Sequence, residues 1–244
     1  MSRADVCVAA CADLFRDAGE ILASPMGFVP MLGARLARLT FAPDLVLSDG
    51  EAYLLADVPH PGETAPIEGW LPFGKVFDVV AAGTRHVVMG ANQVDRYGNQ
   101  NISAIGEHAK PKRQLLGMRG SPGNTANHRT SYWVPKHSTR VLVPAVDVVA
   151  GIGYDRAAQI PSAARFHDVY RVVTNLAVLG FDTPDHRMRL VSVHPGVTVE
   201  EVQEQTGFPL DTSDVGQTRE PTGDEQALID TRLDPKGLRD KEVR

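Results

Sequence analysis

The feature that most constrains this chain is a repeated alternation of helical and strand-like stretches. Residues 2–18 carry apolar side chains at helical spacing and stop at Gly19, and residues 20–24 then read as a short strand. Met31, Leu32, Leu36 and Leu39 form the apolar stripe of a second helix, and residues 44–48 form a second apolar strand. The same order returns at 75–82, a helix stopped by Gly83, and 86–90, a strand. Strands separated by helices pair in parallel, so the pattern predicts an α/β fold with an open, mostly parallel sheet flanked by helices. The second half is richer in strands, with candidates at 141–143, 146–149, 166–181 and 188–193, and this predicts added antiparallel strands. Thr198 with Glu201 forms a capping box before a further helix. Beyond residue 210 the apolar periodicity fades, so residues 1–210 are expected to form the domain. Residues 211–244 are expected to be a polar extension that either packs on a partner or is partly mobile.

Between these elements, residues 58–73 hold Pro59, Pro61, Pro66 and Pro72 around Trp70 and read as a long loop, with Trp70 anchoring it to the core. Residues 92–128 are where chemistry is expected. The segment 117–128, Gly-Met-Arg-Gly-Ser-Pro-Gly-Asn-Thr-Ala-Asn-His, follows the apolar pair Leu115-Leu116. Its glycines allow backbone N–H groups to point outward, and a helix beginning near Asn124 would add its own free N–H groups, a combination suited to an oxyanion. No Gly-Lys-Ser/Thr follows, so this is not a nucleotide P-loop.

Five stretches together resemble one family: residues 95–101 (Asp-Arg-Tyr-Gly-Asn-Gln-Asn), 120–124 (Gly-Ser-Pro-Gly-Asn), 146–154, 172–177 and 194–202. In order and spacing they are similar to the β subunits of class I coenzyme A transferases, the glutaconate transferase type in particular. The 119–128 loop resembles most a branch of actinobacterial hydrolases that open steroid rings held as CoA esters. The resemblance implies the transferase fold, an α subunit in an α2β2 heterotetramer, and an acyl-CoA substrate, with coenzyme A entering as part of that substrate and no separate cofactor.

It also implies a departure. The transferases carry a catalytic glutamate in a Glu-x-Gly turn where this chain reads Ser48-Asp49-Gly50. A serine cannot form the acyl anhydride and enzyme thioester of CoA transfer, which favours water as nucleophile and hydrolysis of a cyclic β-keto acyl-CoA. A transferase using Asp49 or Glu51, and a non-catalytic scaffold, are the competing readings. Gly120, Ser121, Gly123 and Asn124 are candidates for the oxyanion site, with Ser48 and His128 as positioning groups. Arg119 and Asn99 are candidates for holding the CoA ester.

The net charge of −5, without a basic run, argues against nucleic acid. No apolar run is long enough for a transmembrane helix, and the first residues do not resemble a signal peptide, so a cytoplasmic protein is expected, with no membrane partner. The eight histidines lack metal-site spacing, and Cys7 and Cys11 read as core residues of the first helix.

Overall fold

The structure is a computed structural model that describes residues 1–48, 53–60 and 63–243. Ten strands form one sheet: β1 Leu22–Pro25, β2 Val46–Ser48, β3 Tyr53–Leu55, β4 Ile67–Trp70, β5 Arg85–Gly90, β6 Arg129–Val134, β7 Asp168–Thr174, β8 Ala177–Gly180, β9 Arg189–Val193 and β10 Gly216–Gln217. Their order is β10-β9-β8-β7-β6-β5-β1-β2-β3-β4. The centre, β2-β1-β5-β6-β7, is parallel throughout. Antiparallel strands extend it on both sides, β3 and β4 beyond β2, β8 and β9 beyond β7. The chain leaves β1 toward β2 on one side and later returns to β1 through β5 on the other. The strand order therefore reverses at β1, the position where open α/β sheets bind ligands beyond the carboxyl ends of their strands.

One face of the sheet is covered by α1 (Arg3–Asp13) and α2 (Phe28–Leu39). Helix α1 begins with a capping box in which the Ser2 hydroxyl accepts from the Asp5 amide and the Asp5 carboxylate accepts from the Ser2 amide. Cys7, Cys11, Phe15, Leu32, Leu36, Leu45 and Leu47 fill this layer, so both cysteines are core residues. The helices cross so closely that a Cβ on Gly33 would lie 2.6 Å from that of Cys11. A second core, with Tyr132, Leu142, Val172, Leu179, Phe181 and Leu190, lies around β6–β9.

The structure corrects several expectations. Residues 58–73 are not one loop, because β4 forms within them, and Trp70 is 68% exposed and turns away from the core. Residues 141–149 form bends with a single bridge from Leu142 to Val94, since Pro144 supplies no N–H to a ladder. The segment after 210 folds back on its own chain. A helix at Gly223–Leu228 opens with a Thr222–Glu225 capping box, and a π-turn (Ile229–Leu233) and a last short helix (Arg239–Glu242) follow. Arg219 bridges Asp13 at 2.7 Å and Glu225 at 2.6 Å. Arg239, with its side chain 8% exposed, reaches Asp5 at 2.6 Å and Asp234 at 3.2 Å. The Glu242 carboxylate accepts from the Val29 amide at the start of α2 and from the Trp133 indole, both at 2.9 Å.

Two predictions follow from these buried polar groups. Removing Arg239 leaves the Asp5 and Asp234 carboxylates desolvated without a cation, so Arg239→Ala should cost about 3–5 kcal/mol in urea unfolding. An unchanged midpoint would contradict the ion-pair assignment. His137 and His194 are held by Thr174, Thr206 and Thr218, and burial pushes each imidazole down to about 4. An unfolded histidine titrates near 6.5 (about the peptide value), so as the pH falls the unfolded chain takes up protons first. The contribution of these two groups to stability is complete above that pH and is lost as the pH falls through about 4. A His137→Gln variant should show a shallower loss over this window in pH-dependent thermal unfolding; an identical slope would contradict it.

Candidate active site

Side chains alternate across β1, β2 and β3, and the register decides which face each one meets. Leu22 pairs with Val46, Ala23 with Leu47, Leu47 with Leu55 and Ser48 with Leu54. Ala23, Leu47 and Leu55 are buried under α1 and α2. Leu22, Ser24, Val46, Ser48 and Leu54 therefore share the opposite face, and all five are only half-buried. A parallel sheet normally has helices on both faces. Here α3 (Phe73–Ala82) leans instead on α4 (Ser121–Asn127), where a Cβ on Gly123 would stand 2.5 Å from the Val80 side chain. Among the described residues, the face carrying Ser48 is thus left partly open, at the carboxyl end of β2 and beside the strand where the order reverses.

Arg85 opens β5 and is aligned with Leu22, which places it on this same face. Its side chain runs along the sheet to donate to the Ser24 hydroxyl at 3.3 Å and to the Asn124 carboxamide oxygen. It is 6% exposed, its Nε has no partner among the described residues, and burial pulls its pKa down to about 10.

The Gly-rich loop arrives from the other side. Helix α4 starts at Ser121, three residues earlier than the sequence suggested, after Gly117 and Arg119 in left-handed conformations (φ 85° and 50°). The Ser121 side chain meets the Gln100 carboxamide oxygen, and Gln100 donates to the Gly90 carbonyl at 2.6 Å, which pins the loop to the carboxyl end of β5. Among the backbone groups of the loop, Ser121 donates to Met118 and Asn124 to Gly120, and Pro122 has no N–H. Within residues 120–124, the amides of Gly120 and Gly123 have no acceptor among the described residues. Asn124 itself is a brace, with its carboxamide fixed between Arg85 and the Met89 sulfur.

His128 does not join this group. It lies at the far end of α4, where its Nε2 meets the Val80 carbonyl at 3.0 Å, and burial, then the nearby Arg85 charge, depresses its pKa. Asn99 is also fully engaged: its amide donates to Asp95 and to Asp155 at 2.8 Å, and its oxygen accepts from the Gly153 amide. It shapes the turn beside a cavity of about 280 Å³ lined by Asp95, Arg96, Tyr97 and Asp155, none of which is on the Ser48 face. Arg119 is exposed next to Leu116 and Met118 on the outer surface of the loop. Asp49 and Glu51 lie outside the described residues. Neither Ser24 nor Arg85 stands out as a site residue in the sequence. A charged residue leading the apolar run His86-Val87-Val88-Met89 was the available signal.

With this geometry in place, the chain can be compared with known proteins. The coenzyme A transferase family model matches residues 76–205. The chain belongs to the coenzyme A transferase family. The cholesterol ring-cleaving hydrolase IpdB subunit of Mycobacterium tuberculosis is 62% identical, over 100% of this chain and 99% of that protein. The crystal structure of Rhodococcus jostii IpdAB contains a chain that superposes with a TM-score of 0.96 at 57% identity, covering 100% of this chain and 99% of its own. The glutaconate coenzyme A-transferase of Acidaminococcus fermentans shares the fold, with a TM-score of 0.83 at 22% identity over 96% of this chain and 95% of its own.

The close approach at Gly123 gives a direct check on how α3 and α4 frame the open face. Gly123→Val should push α3 away from α4 and lower stability by about 1–3 kcal/mol in thermal unfolding. An unaltered transition would show that α3 is not held there.

Proposed function

We propose that this chain is the β subunit of a heteromeric hydrolase that opens the ring of a cyclic β-keto acyl-CoA in the breakdown of cholesterol and related steroids. The observation that carries this reading is Ser48. It ends β2 on the open face, where the transferase resemblance puts a glutamate, and relatives 62% and 57% identical over the whole chain are named as ring-cleaving hydrolase subunits. With a hydroxyl at that position, water replaces the enzyme carboxylate as nucleophile.

The chemistry balances without a cofactor. A base removes a proton as water adds to the ring ketone, which gives a tetrahedral alkoxide. Its collapse breaks the bond to the carbon next to the thioester, and the electron pair passes onto the thioester oxygen as an enolate. The former ketone carbon becomes a carboxylate, and the enolate is reprotonated at carbon. The Gly120 and Gly123 amides are suited to the enolate oxygen, and one such donor is worth about 3–4 kcal/mol. Ser48 positions water or the thioester. A carboxylate of the α subunit acts as the base, so turnover requires both chains, in an α2β2 assembly working in the cytoplasm. Arg119 meets the anionic part of coenzyme A at the rim.

The test is to assay the reconstituted heteromer with a cyclic β-keto CoA ester, and separately with a simple acyl-CoA plus a free acid. Ring opening without CoA exchange is expected. Ser48→Ala should keep kcat within about tenfold, the effect of losing a positioning hydrogen bond rather than a nucleophile. CoA exchange without ring opening would overturn the reading.

A further inference from the structure

Two arginines are buried among the described residues, and their surroundings differ in kind. Arg239 is surrounded by three carboxylates, Asp5, Asp230 and Asp234. Arg85 has none among the described residues: its partners there are a serine hydroxyl and a carboxamide oxygen, both neutral, and its Nε has no partner among them. Desolvating a guanidinium without a counter-charge is costly, and proteins bury such a charge where an anion joins it. The position adds to the case. Ser24, which Arg85 contacts, is half-buried on the open face, one strand away from Ser48.

We propose that Arg85 is the seat of a carboxylate-binding subsite on this face, receiving the carboxylate that ring opening creates from the ring ketone. The inference rests on the ring-opening reading for the identity of the anion, and on the structure alone for the presence of the subsite. A guanidinium offers parallel N–H groups that match the two oxygens of a carboxylate, a match that a lysine ammonium does not reproduce. The neutral ketone of the substrate calls for no such partner. The interaction therefore grows as negative charge develops on the oxygens of the tetrahedral adduct and is complete in the product. Ser24 orients the guanidinium from the open side, and Asn124 orients it from α4, which links the subsite to the Gly-rich loop.

The experiment uses the assembled heteromer as wild type, Arg85→Lys, Arg85→Met and Ser24→Ala. Inhibition constants are measured for the ring-opened acid product and for propionate as a minimal carboxylate, with free coenzyme A as a ligand that lacks a carboxylate. For Arg85→Met, the constants for the product and propionate should rise by about tenfold or more while that for coenzyme A stays the same. Arg85→Lys should recover part of the loss, and Ser24→Ala should show a smaller loss of the same pattern. Equal weakening of all three ligands would mean that Arg85 only supports the fold, and would overturn the proposal. So would unchanged propionate binding, or a folded Arg85→Lys chain that no longer joins its partner, which would assign the counter-charge to the partner. Failure of the wild type to open rings would remove the reaction, and the propionate and coenzyme A titrations would still decide the subsite.

Discussion

The structure depends on the parallel register of β1 with β2 and β5. Ala23 opposite Leu47 sends both side chains under α1 and α2, and this leaves Ser24, Ser48 and Arg85 on the opposite face. A slip of one residue would bury the serines and expose the core leucine, so the hydrophobic layer that stabilises the domain also fixes which polar groups line the half-open face. The C-terminal segment reinforces the same arrangement from outside. Arg239 ties it to α1, and Glu242 ties it to the start of α2 and to Trp133 on β6.

The half-open face that carries Ser48, and a set of exposed apolar side chains elsewhere on the surface, describe a chain built to be completed by another. Tyr53, Ile67, Trp70, Phe77, Leu116 and Met118 are all exposed and come from β3, β4, α3 and the loop before α4. Several large apolar residues exposed in neighbouring segments are unusual for a protein that works alone. The solved relative is named IpdAB and the curated relatives are named as subunits, which indicates a partner chain, and the lean of α3 toward α4 leaves the Ser48 face partly open.

Much of the fold was legible because periodicity is a local property. The apolar stripe of α2, the short strands at β1, β2 and β5, and the hairpin of β7 with β8 were all visible as patterns of a few residues. What was not legible depends on distance along the chain. Asp5 and Arg239 are 234 residues apart, so the closing ion pairs left no local trace, and a polar tail read as an extension. The site divided in the same way. Ser48 was singled out because it stands where the family's Glu-x-Gly turn has its glutamate, and the structure sets it on the half-open face, whereas His128 and Asn99 lie away from that face. An N-terminal start for α4 at Ser121 carries His128 to the opposite end of the helix, and Asn99 is saturated by Asp95, Asp155 and Gly153. Arg85 could be recognised only once its surroundings among the described residues were seen to hold no carboxylate.

The central claim is that water, and not a carboxylate of this chain, attacks the substrate. A single turnover of the assembled enzyme with a cyclic β-keto CoA ester in water enriched in oxygen-18 tests it directly. Attack by water places one solvent oxygen in the new carboxylate of the product in the first turnover. An unlabelled product in that turnover, with the heavy oxygen appearing only in later ones, would mean that an enzyme carboxylate supplied the oxygen, and would contradict the mechanism.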